Sequence, residues 1–198
     1  MVGTDKRSGL LVYDLRGNQL QHLPAGNLNN VDLRTGAWGR EDLTIAVASA
    51  REPDALVVFE LDHASREVRL ARRNDPLVDE PYGVCLYLDA SRQPWVVLNG
   101  KDGLCVQFEL HPDYAAAEAR RWRTQTQPED CVADDEAGVL YIGEEGHDVS
   151  DTDGVEVTSV PLPGFPEGLL VVQDGANPRG NQNFKFASFS EVRRALRL

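Results

Sequence analysis

The chain predicts an all-β fold, a β-propeller built from four-stranded antiparallel blades, and three observations carry that prediction. Helical periodicity is nearly absent along its 198 residues. Apolar, β-branched runs recur between turns of Gly, Pro, Asn and Asp. Those runs can be laid over one another as units of four strands at a period of about 45 residues, the spacing of propeller blades.

The elements follow in order. First strands of a unit open on an acidic or amide turn: NNVDLR from Asn29, EPYGVCLYLD from Glu80, QPEDCVADD from Gln127 and TDGVEVTSV from Thr152. Second strands end in a polar turn carrying charge: VGTDKRSG from Val2, VASAREPD from Val47, VLNGKDG from Val97, IGEEGHD from Ile142 and VQDGANP from Val172. Third strands are GLLVYDL, ALVVFELD, LCVQFELH and FKFASF, and fourth strands are NQLQHLP, EVRLARR and ARRWRTQ. The final SFSEVRRALRL, from Ser188, has apolar residues at helical spacing behind a Ser/Glu capping-box pattern, so a short closing helix with a basic face is expected. An irregular β-sandwich is the alternative arrangement of the same strands.

The spacing is interrupted once. Asn30 to Tyr82 spans 52 residues and Tyr82 to Glu129 spans 47, but Glu129 to Asp153 spans only 24. Residues 1–198 are therefore read as one incomplete propeller domain of about four blades' worth, with a deletion junction at 146–150.

Composition narrows the function. The 32 acidic and 20 basic residues leave a net charge of −12, which disfavours nucleic acid and anionic membranes and favours divalent cations as partners. No stretch is long and apolar enough to span a bilayer, and Met1 leads into GTDKRSG, not into a secretory leader. Cys85, Cys105 and Cys131 are odd in number and widely spaced, so buried inert thiols are expected, with neither a disulfide framework nor a zinc site. The four histidines form no pair at metal-ligand spacing.

In a propeller, equivalent turns of successive blades converge on one face. The second-strand ends bring Lys6 and Arg7, Arg51 and Glu52, and Lys101 and Asp102 from the early blades and Glu144, Glu145 and Asp174 from the later ones. First-strand turns add Asn29, Asn30, Asp32, Tyr82, Glu129 and Asp153. Cations facing carboxylates suit an anionic substrate gripped by Arg or Lys and by bound metal. Each such residue taken singly also reads as a solvated turn residue; recurrence at one position is what argues for a site. SDTDG, from Ser150, fails as an EF-hand loop because Val149 and Val160 would fall on ligating positions. A glycosidase-like pair, Glu129 with Glu145, stays open on residue type alone. No GxSxG, HExxH or phosphate-cradling glycine loop occurs.

GTDKRSGLLVYDLRG, LNNVDLR, EPYGVCLY, NGKDG, QPEDCVADDEAGVLYIGEE, SDTDGVEV and FPEGLLVVQDGANPRGNQNFK, in this order over nearly the whole chain, resemble the β-propeller phytases. These are six-bladed, calcium-dependent phosphatases that release phosphate from phytate, myo-inositol hexakisphosphate. The resemblance implies several bound Ca2+ ions and a catalytic set of Glu129, Glu145, Tyr82, Arg51 and Lys101. Substrate phosphates would be held by Lys6, Arg7, Arg51, Tyr82, Lys101 and Asn30, and metal by Glu129, Glu145, Asp153, Asp174 and Asn177. It further implies a secreted or periplasmic bacterial hydrolase, expected to be monomeric, with an inositol phosphate as its partner. The family's N-terminal Asp-Asp-Pro motif and its Asp-x-Glu-Gly and Ser-Gln-Gly motifs have no counterpart in this sequence. The rival expectation is therefore a catalytically inactive truncated propeller that serves as a calcium- or partner-binding module. A propeller enzyme acting on sugars or lactones is a third.

Overall fold

In the computed structural model, the described residues are 1–75, 78–124, 128–135, 138–143, 154–175, 180–181 and 183–196. Sixteen strands in five antiparallel sheets, one α-helix and a short 3-10 turn (Ala37–Gly39) lie among them. The first sheet joins β1 (Val2–Asp5), β2 (Gly9–Tyr13) and β3 (Gln19–Pro24). The second runs β4 (Leu28–Thr35), β5 (Leu43–Arg51), β6 (Asp54–Asp62) and β7 (Glu67–Asn74). The third has the same meander in β8 (Pro81–Leu88), β9 (Pro94–Gly100), β10 (Leu104–Leu110) and β11 (Ala116–Arg123). The fourth has β12 (Pro128–Asp134) and β13 (Gly138–Gly143), and the fifth has β14 (Val155–Thr158), β15 (Leu169–Asp174) and β16 (Asn183–Ser188). The expected strand runs coincide with strands wherever their residues are described, so the all-β fold with blade-like four-stranded sheets holds.

The sheets stack face to face in chain order, which explains why their middle strands are apolar on both sides. In β5 the odd-numbered Leu43, Ile45 and Val47 pack toward β8–β11 with Leu56, Val58, Leu86 and Phe108. The even-numbered Ala46, Ala48 and Ala50 face β1–β3 with Leu10, Val57 and Phe59. Val132, Val157, Leu170, Val172 and Phe189 join the last sheets to the helix α1 (Phe189–Leu196). That helix begins one residue after Ser188, whose hydroxyl shares a hydrogen bond with that of Ser190 at 2.8 Å.

One expectation is corrected. Cys85 and Cys131 form a disulfide, with Cα atoms 5.6 Å apart; Cys105 is a buried thiol outside that bond. The two bonded cysteines sit at near-equivalent positions of β8 and β12, 46 residues apart. Stacking brings successive first strands side by side, so one blade period of separation in sequence becomes bonding distance in space.

The expected deletion junction at 146–150 lies outside the described residues. The β12–β13 sheet has two strands among the described residues, where the two sheets before it have four. The next unit then opens at Val155.

Candidate functional site

Antiparallel meanders place the start of each first strand beside the end of its second strand, as in the pairing of Leu28 with Ala50 and of Pro81 with Gly100. Arg51, Tyr82 and Lys101 meet at this end. The Arg51 guanidinium carbon lies 4.6 Å and the Lys101 Nζ 5.3 Å from the centre of the Tyr82 ring. Cations from two successive sheets thus share one aromatic face system, an attraction worth about 0.5–2 kcal/mol for each, depending on desolvation. Arg51 Nε is buried without a hydrogen-bond partner among the described residues. A guanidinium donor left unpaired beside a second cation is a site prepared for an anion.

Below Tyr82 the polar contacts are dense. Ser49 donates its hydroxyl to the Tyr82 carbonyl at 2.5 Å and accepts from the Asn30 N–H at 3.2 Å. Asn29 Nδ2 donates to the same carbonyl at 3.2 Å and to Asn30 Oδ1 at 2.6 Å. Asn29 and Asn30 are both buried, so Asn30 belongs to the wall under the site. Lys6 and Arg7 occupy the β1–β2 turn, where the Arg7 N–H donates to Asp5 Oδ1 at 2.8 Å. Asp174 is buried at the end of β15 with Lys185 Nζ 3.2 Å away.

Glu145, Asp153 and Asn177 lie outside the described residues, as does the side chain of Glu129, whose backbone is in β12. Among the described residues no cluster of three or more His, Cys, Asp or Glu side chains is placed to hold a metal.

A central cavity of about 170 Å³ runs below the site, lined by Thr4, Asn29, Asp32, Asp130 and Glu156 among others. Residues of the first sheet and of the fifth, Gly3 and Val155, border the same space. At its far end Arg34 pairs with Asp32 at 2.7 Å and with Asp135 at 3.2 Å, and donates to the Ala133 carbonyl. Burial pushes the Asp32 carboxyl up to about 6, against the pull of Arg34 and of the Leu86 N–H that donates to Oδ2 at 2.8 Å. The sequence marked Asp32 as a turn residue but carried no sign of Arg34, Ser49 or Asn99. Ser49 and Asn99 each follow a run of apolar residues and Arg34 sits in the mixed end of β4, weak signals until the inner strands are seen side by side.

The phytase family model matches residues 1–150. The chain belongs to the β-propeller phytase family. It is 35% identical over 157 residues to the 3-phytase of Bacillus subtilis (strain 168), an alignment covering 73% of this chain and 41% of that protein. The chain thus spans about two fifths of the length of the curated relative it matches. The family match takes in all of the cation site described above.

Proposed function

We propose that this chain is a phosphomonoester hydrolase that releases phosphate from phytate in a calcium-dependent reaction. The observation that carries the proposal is the joint placement of Arg51 and Lys101 over Tyr82, with an unpaired guanidinium donor, in a member of the phytase family. Arg51 grips a phosphate through its planar fork and Lys101 adds a point charge. Tyr82 lies within cation–aromatic range of both and offers its hydroxyl to a phosphate oxygen. Together they anchor a substrate that a protein of net charge −12 would otherwise repel.

Glu129, Glu145 and Asp153 supply hard carboxylate oxygens, the donor chemistry that suits calcium, and would hold it. Calcium, when bound there, neutralises phosphate charge and activates water as the nucleophile. In the overall reaction the water oxygen bonds to phosphorus and the ester oxygen leaves with the ring. The products are inorganic phosphate and an inositol pentakisphosphate.

The family relative's reaction supports a secreted enzyme acting on an inositol phosphate, and no helix among the described residues is long and apolar enough to cross a membrane. Phosphate release from phytate with and without added calcium tests the proposal. Removing calcium with a chelator is expected to abolish turnover. Arg51→Ala and Lys101→Ala are each expected to raise KM at least tenfold. Calcium-independent release, or release unaffected by both substitutions, would overturn it.

The β12–β13 sheet, with two strands among the described residues, favours one second reading, a propeller chain that binds calcium or inositol phosphate without turnover. Calorimetric binding of phytate without phosphate release would establish it.

A further inference from the structure

At the cation end, a side chain two residues before a second-strand turn repeatedly donates to a carbonyl at the start of the next sheet's first strand. Thr4 donates its hydroxyl to the Asn29 carbonyl at 2.6 Å, Ser49 to the Tyr82 carbonyl at 2.5 Å, and Asn99 its amide to the Pro128 carbonyl at 2.9 Å. Each donor stands two residues before the cation or polar turn of its own strand: Thr4 before Lys6, Ser49 before Arg51, Asn99 before Lys101. Each acceptor lies at, or immediately before, a candidate site residue of the next sheet: Asn30, Tyr82 or Glu129.

Packing alone does not call for polar residues at these places. Ser49 and Asn99 are both wholly buried, and their strand neighbours Val47, Ala48, Val97 and Leu98 are buried and apolar. A buried hydroxyl or amide gains little net stability from its hydrogen bond and costs much if unpaired, whereas an apolar residue fills the same space without that risk. What the polar residue adds is direction and a fixed distance. The contact at Asn99 is close enough that a Cβ on Gly83 would collide with its Oδ1 and come within 2.8 Å of the Asp130 Cα. Farther along the inner strands the hydrogen bonds between sheets run to charged side chains instead: the Leu86 N–H donates to Asp32, the Leu88 N–H to Asp135, and Arg34 to the Ala133 carbonyl.

We propose that Thr4, Ser49 and Asn99 are positioning residues for the phosphate site. Each one sets the start of the next sheet's inner strand, and the group it carries, relative to the cation two residues along its own strand. Ser49 is the clearest case, because it fixes the Tyr82 backbone under the ring that Arg51 and Lys101 cover. This inference rests on the phytate reading and names residues that act through others, with no contact of their own to substrate.

The test is a thermodynamic cycle on the full chain, read as calorimetric affinity for phytate. Ser49→Ala is expected to weaken binding about five- to tenfold, the worth of one lost hydrogen bond. Ser49→Thr keeps the hydroxyl and is expected to restore it. In a Tyr82→Ala background the ring is already gone, so Ser49→Ala is expected to have no further effect. Thr4→Val, nearly isosteric and only half-buried, is expected to show the same weakening even where a Ser49 variant unfolds. Unchanged affinity in folded Ser49→Ala and Thr4→Val, or an equal loss in the Tyr82→Ala background, would overturn the proposal and leave the phytate reading standing. A parent chain that binds no phytate fails before any substitution is made, and that result overturns both.

Discussion

Asp32 shows how one carboxylate records its surroundings. Its side chain is 11% exposed, and burial outweighs the Arg34 ion pair to raise its pKa from 3.8 to about 6. A carboxyl that holds its proton more tightly in the folded state contributes stability that is complete below about pH 4. That stability is lost as the pH rises through 6, by about 3 kcal/mol for a shift of this size. Asp32→Asn, neutral at every pH, is therefore expected to flatten the decline in unfolding free energy between pH 4 and 6. Urea titrations at half-unit pH intervals would check this, and an unaltered slope would contradict it. Half-buried Asp89 behaves oppositely: the Ser91 hydroxyl and the Trp95 indole N–H hold it down at about 2.

At the scale of the element, the pairing of β8 with its neighbour across the Cys85–Cys131 bond is the one covalent constraint in the described residues. Closing a loop of 46 residues removes enough freedom from the unfolded chain to stabilise the fold by about 4 kcal/mol in the chain-entropy account. Cys131→Ser is expected to lower the denaturation midpoint accordingly, and reductant is expected to reproduce the effect in the parent chain but not in the variant. Cys105 lies buried in β10 and should resist alkylation until the protein unfolds. Strands and turns were legible in sequence because each depends on local alternation and on turn residues. The disulfide was not, since equivalent cysteines one blade apart look widely spaced until the sheets are stacked.

For the whole molecule, Arg34 is the side chain that spans the central space, from β4 in the second sheet to Ala133 and Asp135 beside β12 in the fourth. Buried pairs broken from one side leave an uncompensated charge, so Arg34→Met is expected to cost about 3 kcal/mol. Asp32→Leu combined with Arg34→Met is expected to recover much of that loss, because both charges then leave together. Chemical denaturation of the single and double variants measures it; equal losses in the two would show that Arg34 acts by its volume alone.

The order of strands, the period of the sheets and the membership of Arg51, Tyr82 and Lys101 in one face were determined by sequence alone. Alternation and turn chemistry are local, and a repeating unit carries its equivalences along the chain. Only the tertiary structure decided which groups touch. Cation–aromatic stacking, the carbonyls held by Thr4, Ser49 and Asn99, the raised pKa of Asp32 and the bonded cysteines all arise between strands whose contacting residues lie roughly 20 to 100 positions apart. Distance and desolvation, which set those energies, exist only once the sheets are packed.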